Sequence, residues 1–393
     1  MTQRSVSIVL VLGVALLFAL PALLSQGLLN AAIQMLIAAL FACAYNVLCG
    51  QAGMLSFGHA AYFGVGAFTT IHAMNAFAGT GLLPTPLLPL AGAFGGLVIG
   101  TLAGWFATKR SGTYFAMITL AIAELLHSLA PHLKTLFGGE AGVSGMRAPS
   151  LGLTFGSTTQ VYYLVLTWVL ACLALLYFFT LTPLGRLALG LRENSHRLAF
   201  LGYDVHKLGV LVFAISAMFS GVAGGLQVVN NEAANYVVFD ASLSAAVVLN
   251  TYIGGTKVFI GPALGAALMT FFGYAVSDLT RSWLLYQGIL FVLVMMFMPD
   301  GLAGLFTKAA ALRRRHGGAT LLPVALLACA AALACAAGVA GIVESLHRTF
   351  SPDGRAPVAA LTWVLALALL AFGGLLAWQA RRTIAAAPQG ALT

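Results

Sequence analysis

The chain has 393 residues, of which 61% are hydrophobic and 7% are charged, and its formal net charge is +9. So few charged side chains cannot cover a water-facing surface, so the composition excludes a soluble globular protein and indicates contact with a lipid bilayer. The basic residues are spread singly between apolar runs, which argues against nucleic acid as a partner.

Apolar runs of at least about 17 residues predict membrane-crossing helices, and therefore an all-α polytopic membrane protein. They fall at residues 6–24, 28–48, 59–78, 87–108, 112–131, 160–181, 208–229, 258–277 and 283–299, with a shorter glycine-terminated run near 241–253. Two more follow a basic break, near 319–343 and 357–379, so we expect roughly 12 crossings.

The predicted organisation has three parts. A transmembrane core covers residues 1–308, a basic cytoplasmic linker covers 309–318, and a C-terminal extension with two transmembrane helices covers 319–393. Cytoplasmic loops retain Lys and Arg, and with the N-terminus inside most of the 19 basic residues fall on the cytoplasmic side. Both termini are therefore predicted to be cytoplasmic.

The stretch 45–68 lies between two crossing-length runs but does not have the pattern of a plain helix. Glycine and polar side chains interrupt it, namely Asn46, Gly50, Gly53, Ser56, Gly58 and His59. Broken backbone at membrane depth is tolerated only against protein or a water-filled cavity, so we expect this stretch to line a path. His59 either positions the following helix or contacts a solute directly.

The run 87–108 carries a glycine at every fourth position, Gly92, Gly96, Gly100 and Gly104. Such a stripe occupies one helix face and lets another backbone approach closely. Two partners remain open, a second helix of the same subunit or a seam between subunits.

Glu124 is a carboxylate set well inside an apolar run, on the helix face that also carries Tyr114, Met117 and Ala121. An ionisable group in that position is costly unless it is paired or hydrated. Glu124 therefore either lines or shapes a pathway or makes a structural hydrogen bond.

The segment 182–207 is the most charged internal part of the chain and is too polar to insert. Pro183 begins it, Gly202 ends it, and leucines between them recur at helical spacing. It predicts a short amphipathic cytoplasmic helix. Such a helix docks on a partner protein, or else rests on the inner leaflet.

The second half of the chain repeats one feature of the first. A short apolar piece ends at Gly254 and Gly255, and Gly261 and Pro262 begin a further run. Glycine-interrupted segments in corresponding places of two halves predict a midplane site between repeats. The glycine-rich segment 138–145 is predicted to be an external loop, either plain or in contact with a partner protein.

No catalytic constellation, metal-ligand spacing or phosphate-binding loop is present in the sequence. We therefore expect a chain that is not an enzyme, binds no metal and has no cofactor of its own. Its energy source must lie in another chain or in an ion gradient.

Five blocks resemble, in the expected order, the membrane permease subunits of branched-chain amino acid type ABC importers, in their LivM-like branch. The first reads Asn-x-Leu-x-Gly-x-x-Gly-x-Leu-Ser-x-Gly-His-Ala from Asn46, and the others are residues 111–121, 185–194, 254–266 and 298–305. The resemblance implies a roughly 10-span permease core with broken or re-entrant Gly-rich segments. The two C-terminal spans depart from the family pattern.

The resemblance also implies roles for individual residues. The translocation pathway would include Asn46, Gly50, Gly53, Ser56, Gly58, His59, Thr119, Glu124, Gly254 and Gly255. Coupling to the ATPase would involve Gly185, Arg186, Arg192, Glu193, Asn194 and Gly202.

The family's machine sits in the bacterial inner membrane. Its implied parts are a second related permease subunit, two cytoplasmic ATP-binding subunits that hold ATP and Mg²⁺, and an external solute-binding protein. The implied cargo is branched-chain or other small amino acids, or related solutes such as urea, short amides or aromatic acids. The alternative is a self-contained ion-coupled secondary transporter, which needs several titratable midplane residues, whereas Glu124 alone qualifies.

Overall fold

The computed structural model describes residues 3–78, 83–150, 152–277, 283–298, 300–304 and 360–386, with isolated positions between 327 and 345. The basic linker 309–318 lies outside the described residues, and so does most of the first predicted extra span near 319–343.

Helices make up nearly all of the regular structure in the described part of the chain, as the apolar runs predict. They are α1 Gln3–Leu23, α2 Gln26–Asn46, α3 Ala60–Phe77, α4 Pro89–Ala107, α5 Thr113–Leu129, α6 Lys134–Phe137, α7 Thr158–Leu181, α8 Pro183–Phe200, α9 Val205–Asn231, α10 Ala241–Gly254, α11 Gly261–Ser277, α12 Trp283–Phe297 and α13 Ala360–Ala386. A two-stranded antiparallel ladder pairs β1 Val143–Ser144 with β2 Ala233–Ala234.

Four helical stretches among the described residues are long and apolar enough to cross a membrane: Gln26–Gln51, Thr85–Ala107, Thr158–Leu181 and Val205–Asn231. Shorter apolar helices accompany them, including Thr113–Leu129, Ala241–Gly254 and Gly261–Ser277. The chain is therefore a multi-pass, all-α membrane protein, and the number of crossings stays a prediction.

The chain divides into two compact units. The first comprises Met1–Tyr274 and Phe297–Ala303, and contains α1 to α10, most of α11 and the ladder. The second comprises Ala275–Met296 and Gly304–Thr393, and contains α13 and most of α12.

Helix α9 is the centre of the first unit. It packs against α2, α3 and α4, and 83% of the residues in its apolar 18-residue stretch are buried inside the protein. A helix that is apolar around most of its circumference is covered either by protein or by lipid, and the burial of α9 shows that protein covers most of it. Its small residues Ala217, Gly221 and Gly224 allow that covering at close range.

The glycine stripe of α4 faces α9 of the same chain. A Cβ on Gly96 would meet the Ala217 carbonyl oxygen, and one on Gly100 would meet the Ala217 Cβ. Gly92 and Gly104 lie in the same way against Gly221 and Phe213. The expectation of helix packing within one subunit is therefore correct, and the alternative of a seam between subunits is wrong.

The glycine-rich segment 138–145 is tied to the end of α9. Its strand β1 pairs with β2, and Arg147 binds Glu232 through its backbone N–H at 2.9 Å and its Nε at 3.0 Å. The Arg147 Nη1 also donates to the Val229 carbonyl at 3.1 Å. Glu232 adopts a left-handed conformation with φ of 56°, which is strained for a residue other than glycine.

Replacing Gly96 with alanine is expected to lower the stability of the protein, because the added methyl group forces α4 and α9 apart. We expect a loss of about 1–3 kcal/mol, read as a lower midpoint of thermal unfolding in detergent. The matched control is Gly13→Ala in α1, where a Cβ meets no atom within 4 Å. Equal midpoints for the two variants would contradict the packing described.

Candidate functional site

The helix that begins with α2 changes form before it ends. Asn46 is followed by a π-helical turn, Val47–Gln51, and residues 52–59 have no regular helix before α3 begins at Ala60. Gly53 has φ of +71°, which only glycine adopts without strain. Residues 47–59, called here the interrupted segment, contain the break that the glycine pattern predicts.

The interrupted segment runs back into the helical bundle along α9. A Cβ on Gly209, near the start of α9, would lie 3.8 Å from the Met54 sulfur, and the His59 Nε2 lies 2.8 Å from the Ser216 Oγ. Seven residues of α-helix rise by about 10 Å. Residues 54–59 therefore pass about 10 Å along α9 with non-helical backbone, and Ser56, Gly58 and His59 are buried there.

His59 is fully buried and joins a directional chain of hydrogen bonds. The Gly58 N–H donates to the Ser56 Oγ at 3.3 Å, and the Ser56 Oγ lies 3.1 Å from the His59 Nδ1. The Ser216 hydroxyl donates to the Ala44 carbonyl at 2.7 Å, so it accepts from the His59 Nε2–H. A neutral imidazole protonated at Nε2 satisfies every member of this chain.

The rings around His59 hold it in place. Tyr45 and Tyr62 make edge contacts with it at centroid distances of 5.0 and 5.4 Å, and Phe213 does so at 5.8 Å. With both nitrogens occupied and no exposed surface, the imidazole is placed to fix the interrupted segment against α9.

Other helices supply the remaining partners of the interrupted backbone. The Ser244 Oγ of α10 accepts from the Ala60 N–H at 2.9 Å, and the Thr119 Oγ1 of α5 accepts from the Phe57 N–H at 3.2 Å. Gly58 lies so close to the Thr119 carbonyl that a Cβ there would overlap it. Thr119, fully buried, therefore lies directly against the interrupted segment.

The first half of the segment contacts the second glycine-interrupted region. A Cβ on Gly50 would overlap the Asn46 side chain and lie 3.0 Å from the Thr256 carbonyl oxygen. The Asn46 Oδ1 and the Tyr62 hydroxyl are buried without a hydrogen-bond partner among the described residues. Unpaired buried groups of this kind are costly and call for an explanation.

Gly254 and Gly255 form a close backbone contact, called here the glycine junction, with the fifth sequence block, residues 298–305. Gly255, with φ of +99°, lies against the Asp300 carbonyl, and Gly301, with φ of +67°, lies against Gly255. The Lys257 ammonium binds the Asp300 carboxylate at 2.7 Å. Neither glycine can carry a side chain without displacing backbone.

Glu124 lies apart from this cluster, on the exposed face of α5 with Ala121. The same face carries Tyr114 and Met117, which are 71% and 67% exposed. The Glu124 carboxylate makes no hydrogen bond or ion pair to any residue that the structure describes. The structural hydrogen bond considered from the sequence is therefore not made inside the described part of this subunit.

The predicted cytoplasmic helix is present as α8 but is bent. The Thr182 Oγ1 caps it by accepting from the Gly185 N–H at 3.2 Å. Asn194 has extended backbone, φ −164° and ψ 97°, and its Oδ1 accepts from the Arg197 N–H at 2.9 Å, which starts the second short piece. Arg186 and Glu193 are exposed, and Gly202, with φ of +88°, ends the segment.

Arg192 of α8 is exposed, and its side chain reaches the interrupted segment. Its Nη1 donates to the Gly50 carbonyl at 2.6 Å, and a Cβ on Gly53 would lie 2.9 Å from the Arg192 Cγ.

Asp204 caps the start of α9 by accepting from the Lys207 N–H at 3.0 Å. This hydrogen bond, with the Lys207 ammonium, holds the pKa of Asp204 below its usual range, so the cap is lost as the pH falls through that lowered value.

The structure thus brings one set of the predicted residues together and leaves another set apart. Asn46, Gly50, Gly53, Ser56, Gly58, His59, Thr119 and Arg192 form one continuous cluster, which Gly254 and Gly255 adjoin through Thr256. Glu124, Arg186, Glu193 and Gly202 lie outside it on exposed faces.

Sequence reasoning missed Ser216 and Ser244, which hold the interrupted segment from α9 and α10. A polar side chain within an apolar run was the available signal. Hydroxyl groups are too common in such runs for this signal to single out these two residues, because most of them bond to their own helix.

Replacing Ser216 with alanine is expected to cost about 1–3 kcal/mol, because it leaves the buried His59 Nε2–H without an acceptor. Thermal unfolding in detergent measures the loss. Ser220→Ala is the matched control, since Ser220 is equally buried on α9 but donates only to the Ser216 carbonyl of its own helix. A control as damaging as Ser216→Ala would refute the role given to this hydroxyl.

Comparison with known proteins gives a consistent result. The family described as the branched-chain amino acid transport system / permease component matches residues 27–299. The permease protein LivM of the high-affinity branched-chain amino acid transport system of Escherichia coli K12 is 27% identical over 317 residues, which are 75% of this chain and 74% of that protein. LivM of Salmonella typhimurium LT2 is 27% identical, covering 72% and 71% of the two chains.

A second type of relative matches the same chain. The permease protein LivH of Salmonella typhimurium LT2 is 27% identical over 298 residues, which are 68% of this chain and 91% of that protein. No solved structure matches the chain significantly. Since the family match covers well over half of the sequence, the chain belongs to the branched-chain amino acid transport system / permease component family.

Proposed function

We propose that this chain is the transmembrane permease subunit of an ATP-driven ABC importer in the bacterial inner membrane. It forms the path for branched-chain or other small amino acids, or for related small polar solutes such as urea, amides or aromatic acids. The names of its relatives, which transport branched-chain amino acids, support this choice of cargo.

The observation that carries the proposal is the contact of all five resembling sequence blocks within one unit. Thr119 of the second block and Arg192 of the third contact the interrupted segment of the first. Thr256 of the fourth block approaches Gly50, and Gly301 of the fifth approaches Gly255. Blocks spread over roughly 250 residues of chain meet in one place, as residues that work together must.

The chemistry of the cluster suits a gated passage better than a catalyst. Glycines allow backbone to lie on backbone, and short hydroxyl side chains satisfy the broken segment without filling space. The buried unpaired groups of Asn46 and Tyr62 lie beside the interrupted segment, so a passage that opens there would give them water or solute as partners. Such an opening removes their desolvation cost.

Glu124 belongs to a second part of the path, on the outer face of α5. A carboxylate facing lipid would be costly, so that face is covered by protein or by water in the assembled transporter. A second related permease subunit is the partner that covers it, with the path between the two subunits. The match to both LivM-type and LivH-type relatives supports pairing of two related permeases.

The cytoplasmic helix α8 couples the permease to two ATP-binding subunits. Arg186, Glu193 and Asn194 are exposed on it and available to a partner, while Gly185 and Gly202 fix its two ends. ATP and Mg²⁺ bind to those partners, and the permease needs no cofactor of its own. A solute-binding protein on the outside delivers the cargo, and each partner acts by favouring one of two permease states.

The proposal is tested by reconstitution into vesicles. The permease with its paired permease, ATP-binding subunits and loaded binding protein is expected to accumulate solute when ATP is present. The permease alone is expected to move nothing uphill in a proton or sodium gradient. Uphill transport by the isolated permease would establish the ion-coupled alternative instead.

Thermal-shift screening of the binding protein against the ligand classes named above identifies the cargo.

Glu124→Gln is expected to reduce uptake at least about tenfold, because it removes the charge from the path while keeping the shape of the side chain. Uptake by reconstituted vesicles is measured, and recovery of the intact complex is checked by co-purification. Glu140→Gln, which neutralises an exposed carboxylate of the outer loop, is the matched control. Full uptake by Glu124→Gln would remove Glu124 from the pathway.

A further inference from the structure

We propose that Arg192 is a positioning residue that ties the cytoplasmic helix α8 to the interrupted segment, so that a displacement of α8 is passed directly to the broken backbone. This inference rests on the proposed function, because it assigns a route for the motion that ATP-binding subunits impose. All three of Arg186, Arg192 and Glu193 are exposed on α8, and Arg192 differs from the other two because its Nη1 donates to the Gly50 carbonyl.

The first support is the direction of the side chain. The Arg192 guanidinium donates to the Gly50 carbonyl at 2.6 Å, across 142 residues of sequence. Gly50 lies in the last turn of the helix formed by Gln26–Gln51. Carbonyl groups in a last turn lack partners within the helix and carry its negative end, so a cation there is favoured twice, by hydrogen bonding and by the dipole.

The second support is the close fit of α8 on the same segment. A Cβ on Gly53 would lie 2.9 Å from the Arg192 Cγ and 3.2 Å from its Cα. Gly53 also has a positive φ, so both its conformation and the space around it require glycine. The contact thus involves the backbone of α8 as well as the end of one flexible side chain.

The third support is what lies beyond the contact. Gly50 lies close to the Thr256 carbonyl, since a Cβ on Gly50 would be 3.0 Å from that oxygen, and Thr256 follows Gly254 and Gly255 in sequence. Downstream of Gly53, the segment runs to Ser56 and His59, which are anchored to Ser216 on α9. A shift of α8 therefore reaches both the glycine junction and the anchor of α3.

A tie of this kind changes the coupling of the machine and leaves its assembly intact. If Arg192 contacted the ATPase, its loss would lower ATP hydrolysis and solute uptake in the same proportion. If Arg192 passes motion inward, its loss leaves the ATP-binding subunits able to dock on α8 and hydrolyse ATP, but the interrupted segment no longer moves with α8. The quantity that separates the two is the number of solute molecules moved per ATP hydrolysed.

The experiment compares Arg192→Ala and Arg192→Lys with the wild-type complex in vesicles. We expect Arg192→Ala to co-purify with its partners, to hydrolyse ATP, and to move roughly tenfold less solute per ATP, the effect of losing one charged hydrogen bond. Arg192→Lys keeps a cationic donor and is expected to recover part of the ratio. Arg197→Ala is the matched control, because Arg197 is exposed on α8 and its side chain makes no hydrogen bond to described residues.

A second measurement uses the permease alone. Hydrogen exchange of the amides in residues 50–58 is expected to be faster in Arg192→Ala than in the wild type and in Arg197→Ala. Unchanged exchange, an unchanged solute-to-ATP ratio, or a proportional loss of hydrolysis and uptake would each overturn the inference. A wild-type chain that recruits no ATP-binding subunit would instead overturn the proposed function, and the exchange result would still show whether the tie exists.

Discussion

The structure depends on one constraint, that backbone N–H and C=O groups enclosed away from water need partners. In the helices the backbone meets this need by itself. Residues 52–59 leave the helix, so their groups and the start of α3 take partners from elsewhere: Ser56 within the segment, Thr119 from α5 and Ser244 from α10. The break exists only because these hydroxyl groups surround it.

The second requirement follows from the first, since side chains can reach the broken backbone only if the helices approach it closely. Gly58 on the Thr119 carbonyl and Gly50 beside Thr256 give that approach at the segment itself. Gly96 and Gly221 give it where α4 meets α9. The glycines have two different roles. Between α4 and α9 they let two continuous helices pack closely, whereas in the interrupted segment they permit a break in the helix.

Much of this was predictable from sequence and some was not, for physical reasons. Apolar length predicted the helices, and glycines at 50, 53 and 58 predicted the interruption, because these signals are local. The partner of the α4 stripe was undecided, since a glycine face is equally suited to a helix of the same or of another subunit. The bend at Asn194 was missed because leucine spacing continues across it, and the hydrogen bond from Arg192 was missed because its acceptor lies 142 residues away.

The contact between Arg147 and Glu232 bears on how separate parts of the chain are joined through α9. These two residues join the end of the glycine-rich loop to the last turn of α9, while Asp204 and Lys207 begin the same helix at its opposite end. Helix α9 has 27 residues and is about 40 Å long, and His59 is hydrogen-bonded to Ser216 near its middle. The helix that carries the Arg147 contacts at one end and the Asp204 cap at the other is therefore also the helix that anchors the interrupted segment, through the hydrogen bond between His59 and Ser216.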